Sequence, residues 1–242
     1  MEQNKAASIA ILAMTTFCMA FCFYVVNASD PPLLQDFCVG VSDPDSAVFV
    51  NGKFCKHPNK VNISDFLYEG FNIPGDTTNN IQKAKATLVD INRFPALNTL
   101  GVSIARVDFA PFGLNTPHFH HRGSEVFAVM EGRLYAGFVS SDNKLFYTMI
   151  KKGDIIAFPQ GLVHFQLNTE KKEAYAIAAF GSQNPGRVDV ANSLFGTNKR
   201  ILPDVLTKAY DVDGWVIDRL LSQFNTSSDS DTSILELFAA SS

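Results

Sequence analysis

Residues Asn115 to Val139 read NTPHFHHRGSEVFAVMEGRLYAGFV, and the reading of this stretch decides both the fold and the chemistry of the chain. Its second half, Glu125 to Val139, is rich in valine, phenylalanine and other apolar residues and is interrupted by Glu131-Gly132, which predicts two β-strands turning as a hairpin at that pair. Its first half holds three of the five histidines of the chain within four positions. Side chains alternate faces along a strand, so His118 and His120 point the same way with Cα atoms roughly 6.5–7 Å apart. His121 points to the other face and drops out of any shared site. Pro117 biases Thr116 toward extended backbone, in keeping with a strand.

Similar runs lie on either side. ATLVDI from Ala86, GVSIARVDFA from Gly101, LFYTMI from Leu145, DIIAFP from Asp154, LVHFQLN from Leu162 and AYAIAAF from Ala174 are parted by Gly, Asn, Asp and Lys turns. Their spacing of roughly ten residues predicts an all-β sandwich or barrel over residues 86–182. A second turn is expected at Lys151 to Asp154, where Lys152-Gly153-Asp154 resembles an adhesion tripeptide but reads as a plain turn. Residues 183–224 carry helical periodicity. Pro203 stands near a helix start, and Ile217, Leu221 and Phe224 follow at helical intervals behind an Asp213 cap, so an apolar stripe must be buried against the barrel or another subunit. Residues 29–85 read as an irregular lead-in and residues 225–242 as a polar tail.

The chain has 242 residues, is 46% hydrophobic and carries a formal net charge of −4. That composition supports a substantial core, and without a basic stripe no nucleic-acid partner is expected. An apolar run from Ala6 to Val26 followed by Val26-Asn27-Ala28 reads as a secretory signal peptide, residues 1–28, with an uncleaved membrane anchor as the alternative. Once it is cleaved, no stable membrane insertion is expected and the protein is extracellular. Cys18 and Cys22 leave with the signal. Cys38 and Cys55 remain as a pair in an oxidising compartment, most simply one disulfide, with two buried thiols as the other reading. Sequons at Asn62 and Asn225 are acceptors for N-glycans in that compartment.

The candidate ligands are His118, His120, Glu125 at the start of the next strand, and His164, which shares one strand face with Leu162, Gln166 and Asn168. Three neutral imidazoles and one carboxylate make a mixed N/O site of charge −1, suited to a divalent transition ion with open positions. Ligand type alone admits manganese, iron, zinc, nickel or copper. A solvated edge strand with incidental histidines is the competing reading of the cluster.

PFGLNTPHFHHRGSEVFAVMEG and GDIIAFPQGLVHFQLN resemble the two cupin motifs. With LQDFCV, FCK, NTLGVSIARVDFAP, SQNPG and LTKAY they resemble the germin-like proteins of plants, from about Pro32 to Phe224. The second motif is complete through Gly153, Pro159, Gly161, His164 and Asn168; the first lacks only its leading glycine, replaced by Phe112. The resemblance implies a cupin jelly-roll β-barrel with a C-terminal helical extension, secreted to the apoplast and cell wall, glycosylated, and assembled as trimers that pair into hexamers. It implies manganese held by His118, His120, Glu125 and His164, and a disulfide between Cys38 and Cys55.

Known activities of the family include oxalate oxidase and superoxide dismutase. Its oxalate oxidases carry two asparagines that hold the substrate: Asn115 matches one, but Ala105 stands at the other. Losing a polar contact at such a site removes discrimination, so weak or absent oxalate oxidase activity is expected. Superoxide dismutation, linked to plant defence, asks only for an accessible redox metal and survives Ala105. A non-catalytic wall or receptor component binding a cell-wall constituent is the alternative, and an oxalate oxidase with Asn168 or Gln166 filling the gap is a third reading. His121 stands where many relatives have proline, with no functional account.

Overall fold

The computed structural model describes residues 36–41 and 53–224. The expected signal peptide, the Asn225 sequon and the polar tail lie outside the described residues.

The strands are β1 (Ala84–Val89), β2 (Ser103–Phe109), β3 (Leu114–His120), β4 (Glu125–Glu131), β5 (Arg133–Val139), β6 (Leu145–Lys151), β7 (Ile155–Phe158), β8 (His164–Asn168), β9 (Ala174–Phe180) and β10 (Arg187–Asp189). Three helices follow: α1 (Val190–Phe195), α2 (Pro203–Tyr210) and α3 (Gly214–Gln223). The strands form two five-stranded antiparallel sheets in the orders β1-β2-β9-β4-β7 and β10-β3-β8-β5-β6, packed face to face as a jelly roll.

The space between the sheets is divided. Phe109, Val129, Leu134, Ala136, Ile150 and Ala176 fill one part with apolar side chains. On β3 and β8 the inward positions are polar instead: Asn115, His118, His120, His164, Gln166 and Asn168 are all buried. A polar group buried in such a core is tolerable only when partnered, so these residues must satisfy one another or a ligand.

The hairpin expected at Glu131-Gly132 is not there. β4 pairs with β7 and β9 in one sheet, whereas β5 pairs with β6 and β8 in the other. The chain instead turns a corner between the sheets at Gly132, which has φ +87° and room for no side chain: an added Cβ would stand 2.5 Å from the Cβ of Ala174. The turn at Lys151 to Asp154 makes the matching corner beside it. Lys152 N donates to Gly132 O at 3.1 Å, Gly153 N to Val129 O at 2.9 Å and Val129 N to Asp154 O at 3.0 Å. The true hairpin tip lies further on, at Ser140 to Lys144, closed by Ser140 N donating to Lys144 O at 3.0 Å. One long ribbon is thus folded across both sheets.

β10 also departs from expectation, adding a strand to the edge of β3 in a segment whose periodicity suggested helix; Arg187 lies opposite His120 and Asp189 opposite His118. The helices bury their stripes against each other, Leu206, Ile217 and Leu221 packing with Phe195, Ile201 and Val212. Asp213 occupies the N-cap of α3 without a side-chain cap bond. In the lead-in, Cys38 and Cys55 are disulfide-bonded, and Gly40 N donates to Pro95 O at 2.9 Å, tying that segment to the sandwich.

Two substitutions test the corner. Gly153→Ala meets an equally left-handed backbone but open space, whereas Gly132→Ala also collides with Ala174. In guanidinium unfolding, Gly153→Ala should cost about 1–3 kcal/mol from backbone strain alone. Gly132→Ala should cost about 2–5 kcal/mol, because overpacking adds to it. Equal losses would contradict the packing argument.

Candidate metal centre

Cross-strand register brings the histidines together. His118 on β3 faces His164 on β8 directly, and a register shift separates this pair from the Asn115–Gln166 pair. Simple alternation from His118 would turn Asn115 outward. The irregularity at Thr116 and Pro117 restores it to the interior, and proline, having no N–H to give a ladder, suits the exposed bulge position. The bend through residues 121–124 then returns the chain so that Glu125, first residue of β4, enters the same space from the other sheet.

His118, His120, Glu125 and His164 are each at most 5% exposed, and one ligand atom from each lies within 4.8 Å of all the others. The rings of His118 and His164 are 4.2 Å apart centre to centre, Phe158 stacks on His164 at 4.5 Å, and Phe180 lies edge-on to His120 at 4.8 Å. These phenyl rings exclude water and hold the imidazoles in place.

Two backbone carbonyls orient the imidazoles. His118 Nδ1 lies 2.7 Å from Thr116 O, and His164 Nδ1 lies 2.8 Å from Leu162 O. A nitrogen facing a carbonyl must carry the proton, so each Nε2 is left with its lone pair. Yet His164 Nε2 lies 3.1 Å from Glu125 Oε2, and His120 Nε2 lies 3.2 Å from the same oxygen. Acceptors that converge this way need a proton or a cation among them, and one divalent ion answers all four groups. The donor set therefore fits a transition metal.

Burial, ahead of the nearby Arg187 guanidinium and the His164 ring, pushes His118 down from 6.5 to about 2, so its imidazole is neutral and able to ligate. Burial pushes Glu125 up, but its close contacts with His120 and His164 outweigh it and hold the carboxyl at about 2 rather than 4.5. Glu125 is the anion of the site.

Asn115 is buried beside the cluster, donating through Nδ2 to Gln166 Oε1 at 2.6 Å and accepting from Arg187 Nη1 at 2.8 Å. His121 is exposed, its Nε2 paired with Arg122. Asn62 is exposed at the cap of the short 3-10 turn Ile63–Phe66. Asn168 spends its amide on Ala110 O, Lys172 O and Glu170 N, which leaves it structural. Ala105 is buried between strands, opposite Ala178, whose neighbour on the far side is Phe127. Arg187 escaped the sequence reading; the alternation in Arg187-Val188-Asp189 after Gly186 was the available sign of a short edge strand.

Residues 69–218 match the cupin family. A germin-like protein of Mesembryanthemum crystallinum is 50% identical over 201 residues, 81% of this chain and 83% of its own length. Germin-like protein subfamily 1 member 6 of Arabidopsis thaliana is 48% identical over 208 residues, 85% of this chain and 91% of its own length. Among solved structures, an oxalate oxidase superimposes with a TM-score of 0.79 at 42% identity, covering 83% of this chain and 100% of that one. A structure of oxalate oxidase with the substrate analogue glycolate gives the same TM-score at 41% identity, over the same shares of the two chains.

The low value for His118 fixes a pH dependence for the metal-free protein. The unfolded chain takes up the proton near 6.5 and the folded chain only near 2, so stability is present above pH 6.5 and is lost as pH falls below it. The slope from this one group is about 1.4 kcal/mol per pH unit. Denaturant unfolding of chelator-treated protein between pH 7 and 5 should show this loss, and His118→Gln should flatten it by one proton. A variant with the wild-type slope would contradict the assignment.

Proposed function

The chain belongs to the germin-like proteins of the cupin family, and from that premise we propose that it is a secreted manganese protein that dismutates superoxide and has weak or no oxalate oxidase activity. One observation carries the reading: the four metal-ligating side chains converge in full, while Ala105 offers an apolar methyl where the resemblance expects the second substrate-holding asparagine. Manganese bound there would supply one-electron redox chemistry at an exchangeable position.

The protein supplies the rest. Thr116 O and Leu162 O fix the rings of His118 and His164, Glu125 balances the charge of an oxidised metal, and Phe158 and Phe180 keep bulk water from the imidazoles. Ala105 and its cross-strand neighbours Ala178 and Phe127 carry no side-chain donor for a second carboxylate. A diatomic anion needs no such grip, whereas a dicarboxylate does.

Secretion is supported by the signal-like N-terminus and by the Cys38–Cys55 disulfide, a bond favoured outside the cytosol. Exposed Phe146, Tyr147 and Met149 on β6 and Ile155 on β7 put apolar side chains on an edge strand of each sheet, which favours cover by further copies of the chain, trimers pairing into hexamers. A second reading, oxalate oxidase, is favoured by the likeness to that enzyme and by the side-chain nitrogen of Gln166, which is buried without a hydrogen-bond partner.

The glycosylated protein should turn over superoxide with at least a hundredfold loss in the His118→Ala, His120→Ala double variant, and should show oxalate turnover near background. Ala105→Asn should raise oxalate turnover. Oxalate turnover by the wild type would move the assignment to the second reading. Neither activity from a fully metal-loaded protein would leave a binding role in the cell wall.

A further inference from the structure

The disulfide that staples the lead-in has two unlike ends. Cys38 is 2% exposed, whereas Cys55 lies on the surface. A thiolate that opens such a bond attacks one sulfur while the other leaves. Only the Cys55 end is open to that approach, which makes Cys38 the leaving sulfur.

The buried end is prepared for this departure. Asn98 is 0% exposed, and the backbone of Lys53 sets the direction of its amide. Lys53 N can only donate, so Asn98 Oδ1 accepts from it at 2.9 Å and Nδ2 faces the other way. Nδ2 donates to Lys53 O at 2.9 Å and to Cys38 Sγ at 3.0 Å. A donor aimed at a sulfur favours its thiolate, against the cost of burying that charge. Lys53 O lies 3.8 Å from the same sulfur and is an acceptor for the thiol once it is protonated. Cys38 Sγ therefore meets a partner in either state.

The segments that carry the two cysteines are held together without the S–S bond. Val41 N donates to Phe54 O at 2.9 Å and Lys56 N to Val39 O at 2.7 Å, around a bridge between Gly40 and Cys55. These contacts survive opening of the disulfide and keep Cys38 beside Cys55, their Cα atoms 4.8 Å apart in the closed form. A thiol held so near acts at high effective concentration and closes the bond again when the external thiol is withdrawn. From Lys53 to Lys60 the sequence carries three lysines and no carboxylate, with Lys56 paired to Asp65 at 2.9 Å. Cationic surroundings draw a thiolate toward Cys55.

We propose that Cys55 is a reversible modification site for small thiols of the glutathione class, that Cys38 is the leaving and resolving sulfur, and that Asn98 is the positioning residue that stabilises the departing thiolate. The incoming thiolate bonds to Cys55 Sγ, and the Cys38–Cys55 bond breaks with its electron pair on Cys38 Sγ. Cys38 then takes up the proton that the incoming thiol released. The external thiol is oxidised and Cys38 reduced, so no further oxidant is required. In reverse, Cys38 attacks Cys55 Sγ and expels the thiol. The metal ligands take no part.

The test uses the full chain from a secreting eukaryotic host, incubated briefly with reduced glutathione in the absence of denaturant. The reaction is quenched with acid, the protein unfolded and alkylated, and the adducts mapped by mass spectrometry. Glutathione is expected on Cys55 and the alkyl group on Cys38, and desalting before the quench should restore the disulfide. Glutathione shared evenly between the two cysteines, glutathione on Cys38 alone, or no adduct unless the barrel is unfolded with urea would each overturn the proposal.

Asn98→Asp, which replaces the donor facing Cys38 by an acceptor, should slow opening about 10- to 100-fold, the range for a hydrogen bond to a charged group. A merely packing role for Asn98 would instead loosen the lead-in and speed opening, and that result would overturn its assignment. The distribution of glutathione on the wild-type protein decides the site independently of how the variant folds.

Discussion

A carboxylate surrounded by three imidazoles inside a β-sandwich is the interaction on which the rest of this structure depends. Glu125 is 3% exposed, and an ionised carboxylate so placed is very costly unless charge and hydrogen bonds answer it. Nε2 of His120 and of His164 lie against the same oxygen at 3.2 and 3.1 Å, where a cation shared among them would supply that charge. Main-chain carbonyls hold the rings of His118 and His164, and phenyl rings pack on His164 and His120, so the cluster has little freedom to relax. What remains is a preformed donor set that gains from a cation more than it could gain from itself.

The fold makes room for this by separating a polar from an apolar interior. β3 and β8 give their inward positions to the site, while β2, β4, β5 and β9 pack the hydrophobic part. The folded ribbon from β4 through β7 connects the two. It begins with a ligand, Glu125, turns its corner at Gly132, and supplies Phe158, which stacks on His164. Arg187 and Asp189 on β10 brace the open edge of β3.

Much of this was legible in the sequence. Period-two alternation around His118, His120 and His164 gave the strands and their facing, and the motif spacing placed Glu125 with them. The hairpin at Gly132 was misread because a glycine after a charged residue marks a sheet-to-sheet corner as readily as a tight turn. The parity of the inward residues, odd at Phe127 and Val129 and even at Leu134 and Ala136, fits a two-residue hairpin equally well, and only the pairing of β4 with β9 and of β5 with β8 tells the two apart. Asn115 could be placed inside only with the bulge at Pro117, which depends on pairing with β8. The role of Arg187 needed three-dimensional register, since 71 positions separate it from Thr116 and 72 from Asn115.

The most direct test of the central claim is anomalous X-ray diffraction, on both sides of the manganese absorption edge, from crystals of protein purified without added metal. The account predicts one strong manganese-specific peak per chain, within bonding distance of Nε2 of His118, His120 and His164 and of a Glu125 carboxylate oxygen. An empty cluster, or a peak that appears only at the zinc edge, would contradict it.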